Sequence, residues 1–542
     1  MQLGTIGKGI ALAAAATLAL AACSSDSDPE GDATNTGGET SDGTAIVYAN
    51  GSEPQNPLVP GNTNETGGGK IIDAIYAGLV YYDATGAAMN EVAESIVQDD
   101  PQNFTITLQD GWTFTNGEPV TASSFVDSWQ YTALASNGLL NSYFFEDIAG
   151  HSYEEDSPLA LEVIDDLTFT VELSKPAADF AQRLGYSAYY PLPEAFFDDP
   201  EGYGEAPIGN GPYMLASDDA WQHDVQIDLV ANPDYQGGRA PQNDGLTFVF
   251  YTTQEAAYAD LLSNNVDVID GIPDSSLATY QDELGDRAVN QAAAIFQSFT
   301  IPDSLAHFSG EEGELRRQAL SMAINREEIT DVIFEGTRTP ASDFTSPVVD
   351  GWSDSLDGAE VLEYNTDEAV ALWAEADAIS PWEGTFKLAY NADGGHQAWV
   401  DATINSIKNT LGIDAEGDPY ATFAELREDV TNRTITSAFR TGWQADYPGL
   451  YNFLGPLYAT DAGSNDGDYS SAEFDALLAE GISTADNAER NTILQNAQEV
   501  LLKDLPAIPL WYSNVNGGYS EDVSNVEFGW NSVPLYHEIT KN

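Results

Sequence analysis

Apolar and polar residues alternate through Phe104, Ile106 and Leu108, and again through Leu167, Phe169, Val171 and Leu173, the two-residue period of a half-buried strand. AIVYAN (45–50) reads as a first strand, followed by the loop GSEPQNPLVPG and a helix, KIIDAIYAGLVYYD, after Gly69. Asn116-Gly117 supplies a turn, and Thr121 can cap a helix carrying Phe125, Val126 and Trp129. PIGNGPYMLA sets a Gly-rich turn before a strand, and VQIDLVANPDY alternates up to a turn at Asn232-Pro233. LTFVFY followed by TQEAAYADLLSNNVDVID reads strand, helix, strand. Helix starts are marked by Asn325-x-x-Glu328, Asn365-x-x-Glu368 and Ser470-x-x-Glu473, the first opening a helix with Ile329, Val332 and Ile333 on one face. Strands such as FKLAY and TITSAF alternate with these helices, so the pattern predicts an α/β lobe in each half of the chain, without an internal repeat.

The ends change this picture. MQLGTIGKGIALAAAATLALAACSSDSD has one early positive charge at Lys8, an apolar stretch from Ile10 to Leu20 and small residues up to Cys23. That is the pattern of a signal peptide, over 1–22, rather than a membrane span. Leu20-Ala21-Ala22-Cys23 looks like a bacterial lipobox, so Cys23 is the expected lipidation site; a plain signal with an incidental cysteine is the alternative. Residues 23–43 are acidic and rich in Gly, Ser and Thr, with no apolar residue to seed a core, and are expected to form a lipid-anchored flexible linker. Cys23 is the only cysteine, which excludes an intrachain disulfide or a cysteine nucleophile in the folded body. About 500 residues remain, enough for roughly three folding units.

Charge and motifs narrow the chemistry. The formal net charge of -70, from 88 acidic against 18 basic residues, argues against a nucleic-acid partner. It reads first as a solvated acidic surface, and secondly as a field that would draw cationic ligands to a cleft. No G-x-S-x-G nucleophile motif occurs, and TGGGKI fails the phosphate-loop spacing because Asn64 and Ile71 stand where Gly and Ser or Thr are needed. The five histidines are spread too far apart for a zinc signature, and DAGSNDGD (461–468) has Asp466 where a calcium loop needs Gly, so it reads as a surface turn. Carboxylates are many, yet no acid/base pair is singled out. Aromatic residues make up 11% of the chain, several near Gly-rich loops, which suits a ligand cleft better than a catalytic centre.

One carboxylate does stand out, Asp446 in RTGWQADYP (440–448), set between Trp443 and Tyr447. Together with NGSEPQNP (50–57), DGWTFTNGEPVTASSFVDSW (110–129), IGNGPYML (208–215), NPDY (232–235), LRRQALSMAINREEI (315–329) and YSSAEFDALL (469–478), the segment GWQADYP resembles the solute-binding proteins of ABC importers, in the oligopeptide, dipeptide and nickel class. The resemblance implies a two-lobed periplasmic-binding-protein-like α/β fold, hinged at two crossings, with an additional subdomain inserted in the first lobe. The first lobe would comprise 44–76, 205–301 and 508–542, the inserted subdomain 77–204, and the second lobe 302–507.

It also implies a function: capture of extracellular oligopeptides by a lipid-anchored monomer on the outer face of the cell membrane, which passes them to an ABC permease and its ATPase subunits. No catalysis, cofactor, metal or nucleic acid enters that cycle. Asp446 would accept the peptide's α-ammonium group, with Gly442 and Trp443 against the first backbone units. Arg440 and His396 match positions near the ligand's C-terminus, although FTSPVVDGW lacks a lysine that some members supply there and offers Trp352. Tyr143 and Tyr420 are further candidates for the cleft wall. Each has a plainer alternative: a helix cap or loop acid for Asp446, a structural ion pair for Arg440, solvent exposure for His396, core packing for the two tyrosines. The rival functions are a non-peptide ligand in the same class, such as an oligosaccharide, nickel chelate or cationic metabolite, and, more distantly, a secreted hydrolase.

Overall fold

The alternating runs become sheets. In the computed structural model, which describes residues 45–542, Asn103–Leu108 buries Phe104, Ile106 and Leu108 and pairs antiparallel with Ala93–Asp100 and Thr168–Glu172; Leu161–Asp165 completes a four-stranded sheet. The helix Ala122–Ala133 packs on it, its Thr121 cap closed in a box with Ser124. Trp129 is wholly buried at the centre of this core, donating to Tyr189 O at 2.8 Å and packing on Phe145 and Phe169. The signal peptide, Cys23 and the linker up to residue 43 lie outside the described residues.

A twelve-stranded mixed sheet carries the rest. Its order runs Ala415–Tyr420, Phe386–Asn391, Ala438–Gln444, Ala288–Thr300, Ala507–Tyr519, Val268–Ile269, Ile46–Gly51, Gly245–Phe250, Gln226–Ala231, Tyr213–Leu215, with Arg338–Pro340 and Trp221–Gln222 attached beside it. Ile46–Gly51 and Gly245–Phe250 are parallel and therefore need a long crossover; the four-stranded sheet is housed within it.

The strands Ala288–Thr300 and Ala507–Tyr519, thirteen residues each, run antiparallel through the middle of the large sheet. Residues 294–301 and 507–512 pack into one apolar core with Phe344, Trp399 and Phe453. Val289 and Val515 pack with Val47, Ile72 and Phe248 in another. The register between the two strands shifts at Ala292/Phe296, where they pass from one core to the other.

Local starts differ from the pattern in three places. The helix expected after Gly69 spans Thr66–Ile75, because Glu65 caps it with both carboxylate oxygens on Gly68 N at 2.9 Å, and Val80–Tyr82 is a strand instead. Asn325 and Asn365 cap as expected, but the third cap is Ser471, one residue beyond Ser470. In TITSAF only the last two residues are strand, which continues to Gln444. No helix among the described residues is long and apolar enough to cross a membrane.

Replacing Trp129 by Ala removes one of the two tryptophans of this core and leaves the Tyr189 carbonyl without its donor. We expect a loss of about 3–5 kcal/mol, read as an earlier transition in urea unfolding followed by tyrosine fluorescence and circular dichroism.

Candidate functional site

The strand Ala438–Gln444 is paired on both sides only at its start. Toward Phe386–Asn391 the partners are Leu388↔Ala438 and Ala389↔Phe439, whereas toward Ala288–Thr300 the ladder continues to Ile295↔Gln444. Ala445 N donates to Ala294 O at 2.9 Å, which fixes the phase of this antiparallel ladder. Odd-numbered residues face Ala288–Thr300, and the backbone N–H and C=O of Gly442 and Gln444 face the open edge. Such an edge is a template for another extended chain.

Past this strand, residues 445–449 turn into the helix Leu450–Tyr458, and Asn452 in its first turn organises them. Its buried Oδ1 accepts from Asp446 N and from Trp443 Nε1, both at 3.0 Å, and its Nδ2 donates to Asp446 Oδ2 at 3.1 Å. Asp446 is half-buried, and no ion pair to it exists among the described residues. Burial holds its carboxyl above the usual range, partly offset by the Asn452 bond.

The same turn is tied to the inserted segment. Tyr447 Oη donates to Asp179 Oδ2 at 2.8 Å, and Gln182 Nε2 donates to Pro448 O at 3.1 Å. Arg183 joins Asp179 at 2.9 Å and Asp147 at 2.6 Å, with its guanidinium 5.5 Å from the Tyr447 ring centroid.

Asp446 borders a cleft of about 360 Å³ whose walls come from residues 63–83, 185–190, 212–239 and 529–537 as well as 444–446. Tyr82 and Tyr186 stand in this wall near the carboxylate, and Trp530 packs edge-on to Tyr82. Tyr143 belongs to the same neighbourhood: burial first, and the Asp446 charge second, raise its phenol. Its ring leans on Phe144, which stacks on Tyr186 at 4.2 Å.

Gly442, Trp443 and Arg440 line a second cavity, of about 210 Å³, with Phe296, Phe423 and Tyr458. Arg440 Nε donates to Asn391 Oδ1 at 2.8 Å, and its guanidinium lies 5.0 Å from the Phe423 ring. His396 is half-buried at the start of helix Gln397–Leu411, accepting from Trp399 Nε1 at 3.0 Å, and flanks Gly394 together with Asn391. Arg440 and His396 thus share one corner through Asn391. Tyr420 is not itself on either cavity wall but sits behind the second: its hydroxyl donates to Asp429 at 3.0 Å and it packs against the cluster of Leu426, Val430 and Phe439, which line that cavity.

The residues that motif reasoning did not select are Asn452, Tyr82, Tyr186, Asp73 and Arg239. Asn452 had a visible signal, being the one amide in the apolar run LYNFLGPLY. The others carry none, because they reach the cleft only through long-range packing. Among the described residues no group of His, Cys, Asp and Glu is placed to hold a metal ion.

The oligopeptide-binding protein OppA of Salmonella typhimurium is 26% identical over 496 residues, 88% of this chain and 88% of that protein. OppA of Bacillus subtilis is 24% identical over 483 residues, 84% and 85% respectively. Among solved structures, the unliganded open form of the murein tripeptide binding protein MppA superposes with a TM-score of 0.81 at 20% identity, covering 92% of this chain and 99% of that one. The family model of bacterial extracellular solute-binding proteins, family 5, matches residues 88–465, most of the folded body. With its α/β architecture and its cleft, the chain belongs to family 5 of the bacterial extracellular solute-binding proteins.

Proposed function

We propose that this protein captures oligopeptides outside the cytoplasm and hands them to an ABC permease driven by ATPase subunits. Its family consists of binding proteins rather than enzymes, and its relatives named OppA and MppA are described as binding oligopeptides and murein tripeptide.

The observation that carries the reading is Asp446, a half-buried carboxylate with no ion pair among the described residues, two residues beyond an unpaired strand edge. A carboxylate left in that state is unfavourable until a cation arrives. A peptide α-ammonium supplies the cation, and the backbone behind it supplies the N–H and C=O groups that Gly442 and Gln444 lack. Recognition of this kind holds the ends and the main chain of a peptide and does not read its side chains.

In this reading the second cavity, with Trp443 on its wall, receives a side chain, and the Arg440–His396 corner lies toward the ligand's carboxylate end. The two lobes would close by bending at the shifted register of the two long strands, which moves the border of the first lobe from the expected 301 and 508 back toward Ala292 and Asn514, because 294–301 and 507–512 pack in the core of the second; 77–204 would ride with the first. The Cys23 acyl group would hold the protein at the membrane.

Asp446→Asn keeps the shape and removes the charge. Peptide affinity measured by titration calorimetry should fall by about 2–5 kcal/mol. N-acetylation of the same peptide should cost a similar amount on the native protein and little on the variant. An acetylated peptide that binds the native protein as tightly as the free one would remove the N-terminal clamp.

The unliganded protein should respond in the opposite sense. The folded-state pKa of Asp446 is raised above its unfolded value, so its favourable contribution is full below the unfolded carboxylate pKa and is lost as pH rises through the folded one. At neutral pH the ionised group is therefore a liability without ligand, and Asp446→Asn should raise the thermal midpoint of the free protein. Scanning calorimetry of both forms at pH 7 and pH 4 checks it: the difference should shrink at the lower pH.

A further inference from the structure

Resting on the peptide reading above, the structure assigns Asp73 a role in selecting the ligand: with Asp446 it makes the cleft a site for peptides that carry a second positive charge, on a lysine or arginine side chain near the N-terminus.

The charges on the cleft wall lead there one by one. Its two strong cations are already committed. Lys70 is paired with Asp270. Arg239 donates to both oxygens of Glu91, at 2.8 and 3.0 Å, and to the carbonyls of Asp73 and Tyr76. Burial holds His537 neutral, with a pKa of about 3. Two of the four acids are likewise used locally. Glu65 caps its helix on Gly68 N, and Asp83 accepts from the backbone of Thr85 and Ala87 in a turn.

Asp73 and Asp446 remain. Tyr190 Oη donates to Asp73 Oδ1 at 3.0 Å, but Oδ2 has no hydrogen-bond partner among the described residues, and neither has Oδ1 of Asp446. The two carboxylates line the same cleft as Tyr82 and Tyr186, and the charges of both bear on those two rings. Burial pushes the Asp73 carboxyl up to about 6 against the opposing pull of Arg239 and Tyr190, as expected of an acid whose neighbouring guanidinium is spent elsewhere.

A separate observation marks the same wall as incomplete. Tyr536 lines the cleft, its side chain is 6% exposed, and its hydroxyl has no hydrogen-bond partner among the described residues. A buried polar group in that condition costs free energy. The overall charge of -70 adds a field that concentrates cationic ligands near the opening.

Tripeptides with lysine at the first or second position, each matched by a norleucine peptide of nearly the same shape, test the assignment by titration calorimetry. The native protein should bind the lysine member about tenfold tighter at one of the two positions. In Asp73→Asn the lysine-to-norleucine ratio should fall close to one, and Asp73→Glu should retain most of it. Because the ratio is internal to each protein, a general loss of folded material does not imitate the result. A ratio near one in the native protein, or one that survives Asp73→Asn, overturns the role of Asp73 while leaving peptide capture standing. If neither member of any pair binds the native protein, the peptide reading falls and takes this assignment with it.

Discussion

Two long antiparallel strands, Ala288–Thr300 and Ala507–Tyr519, are the constraint on which the rest depends. Each contributes side chains to two separate apolar cores, so neither core can form without fixing part of the other's framework. Their register shifts between those cores, and an irregular ladder bends more readily than a regular one. The same pair also sets the site. Ala288–Thr300 is the strand against which Ala438–Gln444 is laid down, and Ala294 O anchors the chain where it leaves the sheet toward Asp446. The open edge and the register shift therefore lie on neighbouring strands, with Gln444 opposite Ile295 inside the shifted stretch.

Beyond the sheet, polar contacts do what packing cannot. A turn carrying a half-buried acid would sample many conformations if only apolar contacts held it. Asn452 restricts it from one side by engaging Trp443 and both the backbone and side chain of Asp446. Asp179, Gln182 and Arg183 restrict it from the other through Tyr447 and Pro448. Asp446 lines the cleft, and its Oδ1 accepts no hydrogen bond among the described residues, the condition expected where electrostatic strain is kept for a ligand to relieve.

How far this was legible in the sequence depends on the range of each interaction. The strands through Phe104 and Phe169 were readable because alternation is local, and the Asn325 and Asn365 caps because a cap spans three residues. The helix at Thr66 was misplaced for a local reason too. Three glycines argue against a helix start, yet a Cβ on Gly67 would collide with Ser52, and one on Gly68 with Thr63 and Glu65, so the close approach of the chain selects glycine there. Asp446 drew notice through its aromatic neighbours. Its clamp did not, because Asp179 and Tyr447 are 268 residues apart, and Asp73 is a helix residue whose spacing says nothing of the cleft it faces.

On the proposed peptide reading, the chemistry of the cleft would divide the work of recognition between two kinds of group. The open edge at Gly442 and Gln444 offers hydrogen bonds that any peptide main chain can make, so it contributes affinity without discrimination. Discrimination must then come from groups that a main chain does not satisfy, and charges are the strongest of these in a partly dehydrated space. Lys70 and Arg239 are each held by an acid of their own, Asp270 and Glu91, which keeps the wall from neutralising itself. Arg239 still pulls on the Asp73 carboxyl, but neither cation makes a side-chain ion pair with Asp73 or Asp446 among the described residues, which leaves room for a ligand cation. On that reading, the pairing of those two basic residues with acids outside the cleft is as much a part of the proposed site as Asp73 and Asp446.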